Sequence, residues 1–310
     1  MNKKRKIAIL LTVFFFLANH VIIVSTAADQ DTAEQYAPIL YFVDGEKCYP
    51  VNVTYAIYEV GNPIPLSMLP TAVMLKNYTS DVYYLDNQKG TIAVGDNGIE
   101  NAYQNNTLVL DYTVYARVDP SNTFIQYWFF YAFNNGDLNR HEGDWEMVQV
   151  ILSNGQPTDV MVSQHHTGQK AIWSQVDKEG SHVNVYVARG SHANYIKPYS
   201  GKIGLASDTV ADNGLVLRST QYNIEILDTQ PWLDFAGRWG WIGNNESTAA
   251  QAEILGEAGP PGPKFRQEGS MWQPYVWASG LQPANDILFV LEWFYEELPF
   301  ITTTVPKENE

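Results

Sequence analysis

With 34 Asp and Glu against 19 Lys and Arg, the 310-residue chain carries a formal charge of −15, a surface that on average repels nucleic acid and anionic lipid. A nucleic-acid partner is therefore excluded, while divalent cations suit the charge. Its one cysteine, Cys48, also excludes an intramolecular disulfide framework, so stability rests on a core drawn from 45% hydrophobic and 13% aromatic residues.

Lys3, Lys4, Arg5 and Lys6 precede an apolar run from Ile7 to Val24 and then the small residues Ser25, Thr26, Ala27 and Ala28. That layout predicts a secretory signal peptide over residues 1–27, with Ser25 or Thr26 at the −3 position. The run is also long enough for an uncleaved anchor. Either way the expected location is secreted, on an outer surface or in the endomembrane lumen. Loss of those four cations leaves 15 basic residues against 34 acidic ones. Residues 28–310 are expected to form a single domain. Sequons at Asn52, Asn77, Asn105 and Asn245 mark it as a glycoprotein wherever the host modifies exported chains.

From residue 38 to about 230 the pattern is one of short β-type runs broken by Asn, Gly, Asp and Pro. Strands are predicted at Pro38–Val43, Thr107–Val118, Thr123–Phe133, Trp145–Leu152, Asp159–His166, His182–Arg189 and Gln221–Leu227. Asp119-Pro120-Ser121-Asn122 and Ser153-Asn154-Gly155-Gln156-Pro157 supply turn chemistry between neighbours. Trp145–Leu152 is apolar on both faces, so it is expected to lie centrally beneath a covering layer. In His182–Arg189 the valines take one face. The fold class is mainly β, an antiparallel β-sandwich with irregular loops. After residue 230, three tryptophans and Gly259-Pro260-Pro261-Gly262-Pro263 predict an irregular flap. Ile287, Val290, Leu291, Phe294 and Leu298 then predict a C-terminal amphipathic helix over Asn285–Phe300.

The densest chemistry lies in Asn134–Glu146, where carboxylates, an imidazole and several amides lead into a strand. Residues two apart in a strand share a face, so Asp144 and Glu146 aim at one point while Trp145 anchors the other side. His141 reaches that point from the loop, with Asn135 and Asp137 as further oxygen donors. Such a hard, oxygen-rich set favours Mg²⁺, Ca²⁺ or Mn²⁺ over Zn²⁺. His-Glu-x-x-His is absent because position 145 is Trp, which removes the zinc-protease reading. The alternative is a polar turn that caps a strand, with Glu146 paired to Arg140 on the surface.

The runs His141–Glu146, Ser163-Gln164-His165-His166, Tyr186–Tyr195 and Gly259–Phe265 resemble the Vps62-related family, which includes many plant proteins of unassigned function. Its name implies an endomembrane trafficking role. A more distant resemblance is to the necrosis- and ethylene-inducing (Nep1-like) proteins, whose heptapeptide Gly-His-Arg-His-Asp-Trp-Glu is matched in register by His141, Asp144, Trp145 and Glu146. In that family the first His, the Asp and the Glu surround a divalent cation on a β-sandwich that engages sphingolipid head groups. The resemblance implies His141, Asp144 and Glu146 as metal ligands. Gly143 stands in place of the second His and Glu142 in place of the Arg, and the upstream acidic ligand falls near Asn134 or Asn135. Glu142 reads as a supporting or solvent-facing residue.

His165 and His166 are adjacent, so a strand sends them to opposite faces and at most one joins the metal site. His192 follows Gly190-Ser191 at a strand end, either lining the site or hydrogen-bonded within its turn. Arg189 pairs either with a phosphate or with Asp144 or Glu146. Two functions fit: a cation-dependent binder of an anionic lipid or glycan head group, or a metal-dependent phosphoesterase or esterase with His165, His166 or His192 moving protons. Gly-x-Ser-x-Gly and glycine-rich phosphate loops are absent.

Overall fold

A computed structural model describes residues 27–56, 84–85, 112–136, 140–164, 167–203, 206–240 and 259–273. The signal segment before residue 27, His165, His166, Asp137 and the C-terminal helix at 285–300 lie outside them. Residues 27–36 are helical. The strands are β1 Ile39–Phe42, β2 Thr113–Val118, β3 Phe124–Asn135, β4 Arg140–Ser153, β5 Gln156–Gln164, β6 Thr167–Ile172, β7 Lys178–Glu179, β8 His182–Val187, β9 Asn194–Tyr195, β10 Tyr199–Ile203, β11 Ala206–Val210, β12 Val216–Leu217 and β13 Asn223–Ile226.

Two sheets form the mainly-β sandwich. One runs β13-β2-β3-β4-β5-β6, the other β12-β1-β8-β7 with β9 added to β8, and β10 and β11 make a separate ribbon. The turn chemistry accounts for the meander. Asn122 donates its N–H to Asp119 O (2.7 Å) with a φ of 52°, and Asn154-Gly155 takes two positive φ values, 52° and 72°, as a tight hairpin between β4 and β5 requires. Pairing is antiparallel except for β1 with β8 and β13 with β2. Both exceptions join strands far apart in sequence, which is the separation parallel pairing needs.

β4 lies inside its sheet with both faces covered, as its composition predicts. Toward the second sheet, Ile125, Tyr127, Phe129 and Tyr131 of β3 and Val148 and Val150 of β4 meet Leu40, Phe42, Val183, Val185 and Val187. On the opposite face Trp128, Phe130, Trp145 and Met147 pack under Trp232, Phe235 and Trp239 from the irregular segment after β13. Trp145 has ring centroids of Phe130, Trp239 and Trp232 at 5.1, 5.4 and 5.6 Å. Replacing a fully buried Trp by Ala typically costs about 3 to 5 kcal/mol. Trp145→Ala is expected to fall in that range by urea unfolding, and a cost under about 1 kcal/mol would show that this face is not core. No helix among the described residues is long and apolar enough to cross a membrane.

Candidate functional site

The chemistry collects where the end of β3, the start of β4, the turn after β1 and the turn between β8 and β9 meet. β3 and β4 pair without a register shift here, setting Asn134 opposite His141, Phe133 opposite Glu142, Tyr131 opposite Asp144 and Phe129 opposite Glu146. The two carboxylates therefore project from the same face of β4, the one toward the second sheet. Asp144 and Glu146 are both 1% exposed, which removes the alternative of a surface pair between Glu146 and Arg140.

Asp144 Oδ2 accepts hydrogen bonds from Asn134 Nδ2 (2.9 Å) and His192 Nδ1 (3.1 Å). His192 reaches it because the 188–192 turn is tight, with His192 N donating to Ala188 O (3.0 Å) and positive φ at Gly190 (79°) and His192 (58°). The imidazole stacks flat on Tyr131, with centroids 3.9 Å apart and planes 3° apart. Its Nε2 lies 3.8 Å from Glu46 Oε1. Glu46, in the turn after β1, is anchored by the N–H groups of Lys47 (2.7 Å), Cys48 (2.8 Å) and Gly190 (2.7 Å).

Two carboxylates thus flank one buried imidazole, and their charges govern its protonation. Burial pulls the His192 pKa down, but the hydrogen bonds and charges of Asp144 and Glu46 outweigh it and push the group up to about 9. Burial alone would raise both carboxylates. The His192 contact instead holds each below the ordinary range, aided at Glu46 by backbone N–H groups and at Asp144 by the charge of Arg266. Burial and the charges of Glu146, Asp144 and Glu46 hold the Tyr131 phenol well above its usual range.

His141 is also buried. Its Nδ1 sits 2.6 Å from Gly143 O and 3.3 Å from Glu142 O, so Nδ1 carries the proton and the lone pair lies on Nε2. Burial lowers its pKa and keeps it neutral, against the pull of Asp144. Glu146 Oε2 accepts the Ser163 hydroxyl, and Ser163 Oγ also accepts Met147 N (2.8 Å) and Asn194 Nδ2 (3.4 Å). Around these carboxylates, Tyr131 Oη and Asn194 Oδ1 are buried with no hydrogen-bond partner, while His192 Nε2 faces only Glu46. Among the described residues, no three His, Cys, Asp or Glu side chains converge closely enough to enclose a metal ion.

Asn135 ends β3 and is held there by its N–H to Gly190 O (2.8 Å). Arg189 is exposed and pairs with neither Asp144 nor Glu146, because the strand end turns it outward. The solvent-facing reading of Glu142 is corrected: it is 4% exposed and lines a cleft with Tyr55, Phe130, Gly143, Trp239 and Gly240. The positive φ of Gly143, 63°, turns the strand there and lets Trp239 O approach. Sequence reasoning missed Glu46, Tyr131 and Asn194. Only the Asp44-Gly45 turn just before Glu46 offered a local signal.

No protein-family model and no curated protein matches the chain. Solved structures do. One described as a toxin fold for microbial attack and plant defense is 17% identical over 77% of this chain and 86% of its own, with a TM-score of 0.38. NLPPya in complex with glucosamine is 17% identical over 70% and 82%, with a TM-score of 0.36. Necrosis and Ethylene inducing Protein 2 from the causal agent of cocoa's Witches Broom disease is 14% identical over 64% and 73%, with a TM-score of 0.33. The structural neighbours are thus of the Nep1-like kind, and the Vps62-related resemblance has no counterpart in either sequence comparison. Overlaps this loose do not align individual side chains.

Proposed function

We propose that the protein is an exported, cation-dependent binding protein in which His141, Asp144 and Glu146, which do not converge in the arrangement described above, draw together around a divalent ion that attaches it to an anionic lipid or glycan head group. The observation that carries this reading is a pair of buried carboxylates directed to one side of β4, beside two buried polar atoms, Tyr131 Oη and Asn194 Oδ1, that no protein group satisfies. Buried polar atoms are almost always paired, so such a cluster calls for a bound species. The His141 tautomer supports it too, since a ring N–H tied to a backbone carbonyl with a free lone pair on the other nitrogen is how metal-binding histidines are oriented. Oxygen-dominated donors favour Mg²⁺, Ca²⁺ or Mn²⁺. When bound, the ion would supply the positive charge that recognises the head group, against the acidic character of the whole chain.

The binding reading is preferred to the hydrolase because His192, the one described candidate for moving protons, is committed to structure. Its Nδ1 is on Asp144, its ring is stacked on Tyr131, and Glu46 flanks Nε2. A trafficking role has only the family name behind it. Flotation with liposomes containing anionic lipid, with and without chelator, tests the proposal. Binding should be lost in chelator and in Glu146→Gln, and equal binding under all conditions would overturn it.

A further inference from the structure

The β10–β11 ribbon belongs to neither sheet, and it is fastened to the turn that joins β8 to β9. Val210 packs with Ala188, Ala193 and Tyr195, Tyr199 stacks on Tyr195 with ring centroids 5.4 Å apart, and Arg189 N donates to Thr209 O (3.0 Å). Within that contact Asp208 is only 2% exposed, and each of its carboxylate oxygens takes a hydroxyl from the turn. Ser191 Oγ donates to Oδ1 (2.6 Å) and Tyr195 Oη donates to Oδ2 (2.7 Å). Burial and the Asp208 charge hold the Tyr195 phenol well above its usual range, so it remains a donor.

Between Ser191 and Tyr195 lie His192 and Asn194, whose side chains serve the candidate site. His192 Nδ1 donates to Asp144 Oδ2 (3.1 Å), and Asn194 Nδ2 donates to Ser163 Oγ (3.4 Å), whose own hydroxyl is on Glu146. Ser191 O accepts Asn134 Nδ2 (3.2 Å), the same amide nitrogen that donates to Asp144 (2.9 Å). Both carboxylates of β4 are thus tied, directly or through Ser163, to a residue that sits next in sequence to one of the Asp208 anchors. The His192 φ of 58° is a conformation that a residue with a side chain keeps only where its surroundings impose it. Apolar contact with the ribbon is non-directional and would let the turn slide. Two short hydrogen bonds to one buried carboxylate fix both direction and distance.

We propose that Asp208 is a positioning residue of the site: through Ser191 and Tyr195 it sets the turn that carries His192 and Asn194 onto Asp144 and Glu146. This deepens the cation-dependent reading above and rests on it for the effect on ion affinity. An ion drawn between Asp144 and Glu146 needs both carboxylates held in one orientation, and loss of the groups that orient metal ligands typically weakens binding roughly 10- to 100-fold. Asp208 acts through the turn, so its substitution leaves the donor set itself unchanged. The ribbon outside the two sheets thereby becomes part of the site's support.

The test reads two quantities on wild type, Asp208→Asn and Val183→Ala: Mn²⁺ affinity by electron paramagnetic resonance and, without Mn²⁺, the His192 ring protons by nuclear magnetic resonance. In wild type those protons are shifted upfield by the Tyr131 ring stacked 3.9 Å away. Asp208→Asn keeps the size of the side chain and removes an acceptor. It should weaken Mn²⁺ binding roughly tenfold or more and move the His192 signals toward their ordinary positions. Val183→Ala truncates the core at the far end of β8, so it should lower the melting temperature while Mn²⁺ affinity stays within about twofold of wild type. Mn²⁺ affinity of Asp208→Asn within about twofold of wild type overturns the proposal. An equal loss in Val183→Ala, or a loss in Asp208→Asn with unmoved His192 signals, overturns it as well. If the wild type binds no Mn²⁺ the cation reading falls alone and the His192 signals decide, a shift in Asp208→Asn supporting the positioning role and its absence overturning it. Should Asp208→Asn fail to fold, Ser191→Ala and Tyr195→Phe each remove one of the two hydrogen bonds in its place, and wild-type readouts in both overturn the proposal.

Discussion

His192→Ala is expected to destabilise the fold by about 3 to 5 kcal/mol, the cost of removing one member of a buried charge cluster and leaving the others uncompensated. Asp144 and Glu46 are both buried, and His192 is the group they share. The same contact predicts a pH dependence of definite sign. The folded-state pKa of His192 is raised from 6.5 to about 9, so its contribution is complete below the unfolded value and is lost as pH climbs through the folded one. A shift of that size corresponds to about 3 kcal/mol, in line with the substitution. For Asp144 and Glu46, whose pKa values are lowered, the contribution is present above the ordinary carboxylate range and is lost as pH falls through the folded values. Chemical denaturation of wild type and variant across pH 6 to 10 should give a stability difference that shrinks between about 6.5 and 9. A constant difference would mean that His192 is neutral in the fold.

Gly143→Ala is the second large expected loss, about 3 kcal/mol or more. An added Cβ would stand 1.6 Å from Trp239 O, a backbone atom that cannot rotate away, and the φ of 63° strains any L side chain. The variant should either unfold at lower urea or expel the Trp239 segment, with red-shifted tryptophan fluorescence. Wild-type stability and emission would show that Trp239 is not seated on β4. The prediction also explains a departure noted in the sequence: a histidine is sterically impossible at position 143 while Trp239 O occupies that space.

Much of this was legible from residue patterns. β3 and β4 declare themselves by near-continuous runs of aromatic and aliphatic residues, apolar on both faces, and Asn154-Gly155 specifies their neighbouring hairpin. β6 and β10 were not foreseen because Thr167–Ile172 and Tyr199–Ile203 carry Gly and Lys, residues of low strand preference that pairing with a neighbour overrides. Within the site, Asp144 and Glu146 follow from strand geometry, since their partnership is local. Glu46, Tyr131 and Asn194 do not, because each is brought in from another element by tertiary contacts. Only the solvent-facing alternative for Glu142 fails, for a related reason: simple alternation does not foresee a strand turned by a positive φ at Gly143 and capped by Trp239 and Gly240.

The central claim is that His141, Asp144 and Glu146 hold a divalent cation, and equilibrium Mn²⁺ binding to the purified protein, followed by electron paramagnetic resonance, tests it most directly. The account predicts stoichiometric binding that Mg²⁺ or Ca²⁺ displaces and that Glu146→Gln and His141→Ala each weaken roughly tenfold or more while the far-ultraviolet circular dichroism is unchanged. Folded wild-type protein that binds no Mn²⁺, or variants that bind it as tightly as wild type, would contradict it.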